Sequence, residues 1–341
     1  MTSRILLSAT ISALFLATPV LAQIDLTLGT DLSLELVPAH PAPNETVRVQ
    51  ARSTLIELSD ATIVWSANGR VVAQGVGVSE ATVVAASLGS ETTIIARVVE
   101  GGTEIASAEA RIRPVEMELL WESDSYVPPF FRGRALPSAG TNLRLEALPR
   151  FARANGVLVP VRDITFTWSR NGYVIEAASG RGKSKAFLES PSLFGTDTIS
   201  VEARTSDGIF EGSSSATIQS EEPHIVLYQN HPVFGIAYQE ALGARTKIPD
   251  VEVSFSAVPY FADTERPDDG MLSYEWRVNG GTISNDPERP SSITINASGS
   301  SGAAFVELAI THLTNFFLNA SGSWDLQLLG ENAASAFGPT P

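Results

Sequence analysis

The sequence predicts an all-β protein built from tandem antiparallel sandwiches, and three observations carry that prediction. The motif Trp-x-x-Asn-Gly occurs three times, with its tryptophans 103 and 108 residues apart. Alternating strands flank each copy in the same order. No stretch of ten or more residues beyond position 22 keeps a helical period.

Each repeated element follows from local chemistry. The motif reads Trp65-Ser66-Ala67-Asn68-Gly69, then Trp168-Ser169-Arg170-Asn171-Gly172, then Trp276-Arg277-Val278-Asn279-Gly280. An alternating strand leads into every Trp. Asn-Gly then predicts a type I′ hairpin turn, because both residues tolerate positive φ. An apolar run resumes at Val71-Val72-Ala73 and at Tyr173-Val174-Ile175, giving a returning strand in the first two copies. Upstream, Thr46–Ala51, Asn142–Ala147 and Val251–Ala257 alternate with period two, as half-buried strands do. The last two run on as Leu148-Pro149-Arg150-Phe151 and Val258-Pro259-Tyr260-Phe261. Downstream strands are predicted at Thr92–Val98, Thr198–Ala203 and Ala304–Ile310. Closing strands follow at Ala106–Ile112, Ser214–Ile218 and Trp324–Leu329.

An entry segment separates the later copies from the first. Leu120-Trp121-Glu122 runs through Pro128-Pro129-Phe130-Phe131 to Leu136, matched by Leu227-Tyr228-Gln229 through Phe234 and Tyr238 to Leu242. These repeats place domains at 23–114, 115–221 and 222–330, with a short tail at 331–341. The first 22 residues read as a signal peptide. Arg4 is its positive region, Ile5 to Ala17 its apolar core, and Val20-Leu21-Ala22 its cleavage site. At about 13 residues that run falls short of the ~20 that span a bilayer, so no stable membrane span is expected after cleavage.

Composition narrows the class. With 341 residues and 43% apolar content the chain can bury several cores. A net charge of −15 opposes nucleic acid, whose binding rests on clustered Lys and Arg against phosphate. The absence of cysteine excludes disulfide frameworks, thiolate metal sites and cysteine catalysis. Packing must therefore hold each domain.

A Trp on the third strand, Asn-Gly after it and an alternating final strand resemble bacterial immunoglobulin-like and PKD-like modules. PKD modules pair the Trp with an Asp-Gly-rich turn where this chain has Asn-Gly. The tripartite layout also resembles uncharacterised exported surface proteins of candidate-phylum bacteria. That resemblance implies an association with type IV pilus systems.

No catalytic, cofactor-binding or metal residue is assigned. None of His40, His224, His231 and His312 sits in a HExxH motif, and no GxSxG elbow exists to partner one. His224 and His231 read as solvated linker histidines. Gly75-Val76-Gly77 and Gly180-Arg181-Gly182 read as hairpin turns or bulges rather than phosphate loops. Asp263, Glu265, Asp268, Asp269 and Gly270 form an acidic loop, read as solvated, with calcium as the alternative. Arg181, Lys183 and Lys185 read as a solvated turn. The three tryptophans read as core rather than as sugar-stacking platforms. Pro128-Pro129 excludes a central strand, so Phe130 and Phe131 are expected to pack at the junction of the first two domains. Phe234 and Tyr238 are expected at the next; the alternative is an exposed patch for a partner.

These readings converge on a non-enzymatic, exported structural or adhesive protein, a rod of Ig-like domains in contact with another cell-surface or filament protein, pilus components included. The alternative is a glycan- or peptidoglycan-binding module protein. The expected location is extracellular or at the cell surface, with the periplasm or cell envelope as the other destination.

Overall fold

The computed structural model describes residues 31–248, 252–296, 298 and 302–328. The expected signal peptide at 1–22 and the expected tail at 331–341 lie outside them. Among the described residues the regular elements are strands, with one 3-10 turn at Val161–Asp163. The all-β prediction is met.

The first group of strands is β1 (Ser33–Val37), β2 (Thr46–Arg52), β3 (Thr62–Ala67), β4 (Arg70–Val76), β5 (Glu80–Val84), β6 (Thr92–Glu100) and β7 (Thr103–Ile112). They form sheets ordered β1-β2-β5 and β4-β3-β6-β7. The second group is β8 (Glu116–Ser123), β9 (Asn142–Arg150), β10 (Ile164–Arg170), β11 (Tyr173–Val174), β12 (Gly180–Arg181), β13 (Lys185–Glu189), β14 (Thr196–Thr205) and β15 (Glu211–Gln219). Its sheets run β13-β9-β8 and β11-β10-β14-β15, with β12 also on β10. The third group is β16 (His224–His231), β17 (Gly235–Ala241), β18 (Arg245–Ile248), β19 (Glu252–Tyr260), β20 (Leu272–Val278), β21 (Gly281–Ile283), β22 (Ser292–Asn296), β23 (Gly302–His312) and β24 (Asn319–Leu328). Its sheets run β17-β16-β19-β22 and β18-β24-β23-β20-β21, with β18 parallel to β24. The third motif thus also has a returning strand, β21, which its less apolar sequence did not announce.

The chain divides into two compact units. Among the described residues, one comprises 31–36, Arg48–Val83 and Thr93–Ala110, and the other Val37–Val47, Val84–Thr92 and those from Arg111 to Leu328. The second unit contains the second and third groups of sheets.

The repeated motif does the same work in every copy. Trp65, Trp168 and Trp276 are fully buried on the central strands β3, β10 and β20, opposite Ala96, Val201 and Leu308. Each indole N–H donates to a backbone carbonyl: Val78 at 2.8 Å, Lys183 at 2.9 Å and Pro290 at 3.0 Å. The residue after each acceptor is a serine, and its carbonyl accepts the N–H of Ala51, Ala147 or Ala257 at 2.8 Å. These alanines lie on β2, β9 and β19 of the facing sheets. Every Trp is thus joined, through one crossing dipeptide, to the sheet opposite it.

The Asn-Gly turns are equally constant. Asn68, Asn171 and Asn279 have φ of 48°, 53° and 51°, and the following glycines have 79°, 83° and 81°. That is the type I′ signature. The Asn side chain also grips the neighbouring strand. Oδ1 accepts from the N–H of Thr93, Thr198 or Phe305 at 2.9 Å. The backbone N–H of each Asn returns to the carbonyl of that same residue at 2.8–2.9 Å.

The cores follow the strand periodicity. In the second group, Leu143 and Leu145 of β9 meet Phe166 and Trp168 of β10 and Ile199 and Val201 of β14 in one cluster. In the third, Val253, Phe255 and Ala257 of β19 meet Trp276, Leu308 and Leu326.

Trp168→Phe keeps the apolar bulk but leaves the Lys183 carbonyl without its donor. We expect a loss of about 1–3 kcal/mol, against about 3–5 kcal/mol for Trp168→Ala, measured by scanning calorimetry. Asn171→Ala strains a positive φ and frees a strand N–H. It should lower the urea midpoint of the transition that Trp168 fluorescence follows.

Candidate functional site

The chemistry-bearing residues of the second unit collect where the segment after β8 meets the end of β19. Tyr126 N–H donates to the Ala262 carbonyl at 2.8 Å, and Phe261 N–H donates to the Tyr126 carbonyl at 2.7 Å. This two-bond bridge ties residues 124–131 to the third group of strands. Phe131 packs edge-on against Tyr260 (5.7 Å between ring centres) and Phe261 (6.1 Å). The expectation for Phe130 and Phe131 is corrected on both counts. Phe131 serves the junction of the second and third groups, because the backbone bridge carries its segment forward along the chain. Phe130 is 92% exposed, at φ 67°.

Tyr238, expected at this junction, is there. It lies 5.5 Å from Tyr228 and hydrogen-bonds Tyr126. Phe234 is not: it is 85% exposed and sits against His231. Tyr228 and Tyr260 share a hydroxyl–hydroxyl bond of 2.7 Å. Burial, with Tyr238 close by, pushes the Tyr126 phenol up to about 12. Burial also raises Tyr260 and Tyr274. These hydroxyls therefore stay protonated and act as hydrogen-bond groups rather than bases.

His224, His231 and His312 lie on strands or their ends, which corrects the linker reading of His224 and His231. Both belong to β16, whose pairing with β19 begins at His224 itself, opposite Tyr260. The His224 ring stacks on Tyr260 at 5.3 Å and 11°, and desolvation holds its pKa below the ordinary value while Glu221 pulls it up. His231 Nδ1 accepts from Val233 N–H at 3.1 Å. His312 Nδ1 accepts from Asn315 N–H at 2.9 Å. His40 is exposed.

The acidic loop is occupied with bracing itself and its surroundings. Asp269 accepts from Met271 N–H and Thr264, Asp268 from Ser291 N–H, and Asp263 from the Asn315 amide at 3.0 Å. That same amide reaches the Ala139 carbonyl at 2.9 Å, a further tie at the junction. Among the described residues no group of three or more acidic or histidine side chains is placed to hold a metal.

The basic side chains of the turn are exposed, as a solvated turn requires, and each has a partner. Arg181 pairs with Asp163 at 2.7 Å, Lys183 reaches the Ala177 carbonyl at 2.9 Å, and Lys185 pairs with Glu146 at 3.4 Å. Gly77 and Gly182 close equivalent turns, their N–H groups donating to Ala61 and Ile164. Sequence reasoning missed the surface beside Lys185. There an open groove of about 660 Å³ is lined by Leu120, Trp121, Arg134, Lys185 and Phe187 among others. Arg134 lies over the Trp121 ring at 4.2 Å. The only sequence signal for it was Trp121 itself, read as an entry residue.

No protein-family model matches the chain, and no curated protein does. Among solved structures it is similar to the three N-terminal domains of the bacteriophage RB49 highly immunogenic outer capsid protein. The identity is 11%, over 88% of this chain and 98% of that one, with a TM-score of 0.25. It is also similar to the central fibronectin-III array of RIM-binding protein, at 12% over 87% and 96%, TM-score 0.30. A third is the Bacteroides ovatus mixed-linkage glucan utilization locus protein SGBP-B, solved in complex with a mixed-linkage heptasaccharide, at 11% over 87% and 70%, TM-score 0.24. At scores of this size the fold rests on the sheets themselves. No helix among the described residues is long and apolar enough to cross a membrane.

Because the fold favours neutral His224, its contribution is fully present above the ordinary value of 6.5 and is lost as pH falls from there through the lowered folded value. The melting temperature of the third group should therefore fall as pH is lowered from about 6.5 to about 5. His224→Phe, which keeps the stack, should flatten that slope.

Proposed function

We propose that this is an exported, non-enzymatic structural or adhesive protein. Its Ig-like, PKD-like domains at 23–114, 115–221 and 222–330 form a tandem array that makes protein–protein contacts at the cell surface. The observation that supports the reading is the use made of the reactive residues. His224, His312, Tyr126, Tyr228, Tyr238, Tyr260 and the acids Asp263, Asp268 and Asp269 are spent on bracing loops and on fastening one set of sheets to the next. A scaffold fastened in this way transmits position and load, leaving loops and strand edges to make contact. Pilus components are the first partners to test, followed by other envelope proteins.

A photo-crosslinker at Phe130, the most exposed ring beside the fastened junction, should give one defined adduct when the mature protein meets its native envelope. Crosslinking spread evenly over many proteins, or none, would overturn this reading. Glycan binding is the second reading, and the groove where Arg134 lies over Trp121 favours it. The repeated tryptophans are buried and cannot serve as its platforms. Binding there should change Trp121 fluorescence on titration with an acidic oligosaccharide, and Trp121→Phe should abolish the change.

A further inference from the structure

The strand β13 is an edge whose sequence, Lys185-Ala186-Phe187-Leu188-Glu189, reads as its own partner. It hydrogen-bonds β9 on one side, and the sheet ends there. The ladder fixes which backbone groups point outward. Ser184 accepts from Ala147 N–H at 2.8 Å, and Ser190 donates to the Thr141 carbonyl at 2.9 Å. Even-numbered residues of this stretch therefore face β9, and Lys185, Phe187 and Glu189 turn their N–H and C=O groups to the free edge. The same three side chains stand on the exposed face, while Ala186 is buried. Phe187 is 71% exposed, a large apolar ring in mid-edge.

We propose that β13 is the contact through which two copies of this chain pair, antiparallel and centred on Phe187. In that register Phe187 faces Phe187 of the second copy, and Lys185 faces Glu189 at both ends. All of these are hydrogen-bonded positions, so the free N–H and C=O groups meet one another without a bulge. The two three-stranded sheets become one continuous sheet, and the contact is isologous, as a closed dimer requires. The Glu189 carbonyl already accepts from Arg170 Nη1 at 3.2 Å, so it would take the Lys185 N–H of the second copy on its second lone pair. Lys185, already beside Glu146 at 3.4 Å, would lie between two acids. Two other edges of the second unit lack this complementarity. The edge strand β22 carries no charge, and the charges on β8 are all acidic, at Glu116, Glu118 and Glu122. An edge this short buries less than the ~1,600 Å² of a standard interface, so pairing should be concentration-dependent.

Sedimentation equilibrium of the mature chain should show monomer and dimer in exchange. Glu189→Lys and Lys185→Glu, each checked for folding by circular dichroism, should each be monomeric, since like charges then meet at both ends. Mixed in equal amounts they should restore the dimer, because every facing pair is again opposite in sign. The chain contains no cysteine, so Phe187→Cys gives an independent readout. Facing Cα atoms about 5.5 Å apart suit a disulfide. Oxidation should give a covalent dimer, while Tyr173→Cys, equally exposed but off this edge, should not. A monomeric wild type, a mixture that stays monomeric, or equal crosslinking of the two cysteine variants would overturn the proposal.

Discussion

The bond from each buried indole to the carbonyl of a crossing strand is the constraint on which the rest depends. A chain without cysteine must join its two sheets by packing and hydrogen bonds alone. Burying a Trp removes about 150–250 Å² from water, which at ~25 cal/mol per Å² is about 4–6 kcal/mol. A disulfide typically contributes about 2–4 kcal/mol. The indole therefore supplies stabilisation of at least that size. Its N–H adds direction, because the accepting carbonyls of Val78, Lys183 and Pro290 each precede a serine bonded to the opposite sheet. The two bonds act in series, so the sheets cannot part without breaking one of them.

The Asn-Gly turn makes that bond reproducible. A slip of one residue between β10 and β14 would turn Trp168 to solvent and Ser169 to the core. Asn171 opposes the slip by gripping Thr198 through both its backbone and its side chain. The conformation needs a residue that tolerates positive φ, and the grip needs a side-chain carbonyl oxygen one carbon beyond Cβ. Asn meets both demands without placing a charge beside the buried ring. The chain uses it at all three turns.

These features were legible in the sequence because they are local. Trp, Asn and Gly declare their roles through burial, acceptor geometry and φ, and the flanking alternation declares the strands. What lay hidden depends on contacts between distant segments. Val78, Lys183 and Pro290 share no side-chain property, since it is their backbone that accepts. His224 borders Pro223 and two acids, which suggested a linker, yet its pairing with Tyr260 makes it the start of a strand. Lys185 belongs by sequence to a basic turn, but the sheet sets it beside Glu146 and on an open edge. Phe131 gave no sign of direction, since an aromatic after Pro-Pro can fold back or forward equally well.

The two Phe residues that end near-identical words show how context decides. Ala147-Leu148-Pro149-Arg150-Phe151 and Ala257-Val258-Pro259-Tyr260-Phe261 follow the same strand in successive copies. Phe151 turns into its own core and stacks on Phe210 at 5.9 Å. Phe261 takes a positive φ of 59°, a conformation that costs a bulky residue about 1–3 kcal/mol. What offsets that cost is the neighbour. The Phe261 N–H is captured by Tyr126, and its ring meets Phe131 and His224. Only the third copy is met by an entry segment that carries Tyr126 and Phe131 forward from the copy before it. The strain at Phe261 is therefore sustained by the fastening, and the fastening exists because the second copy has an entry segment that the first lacks.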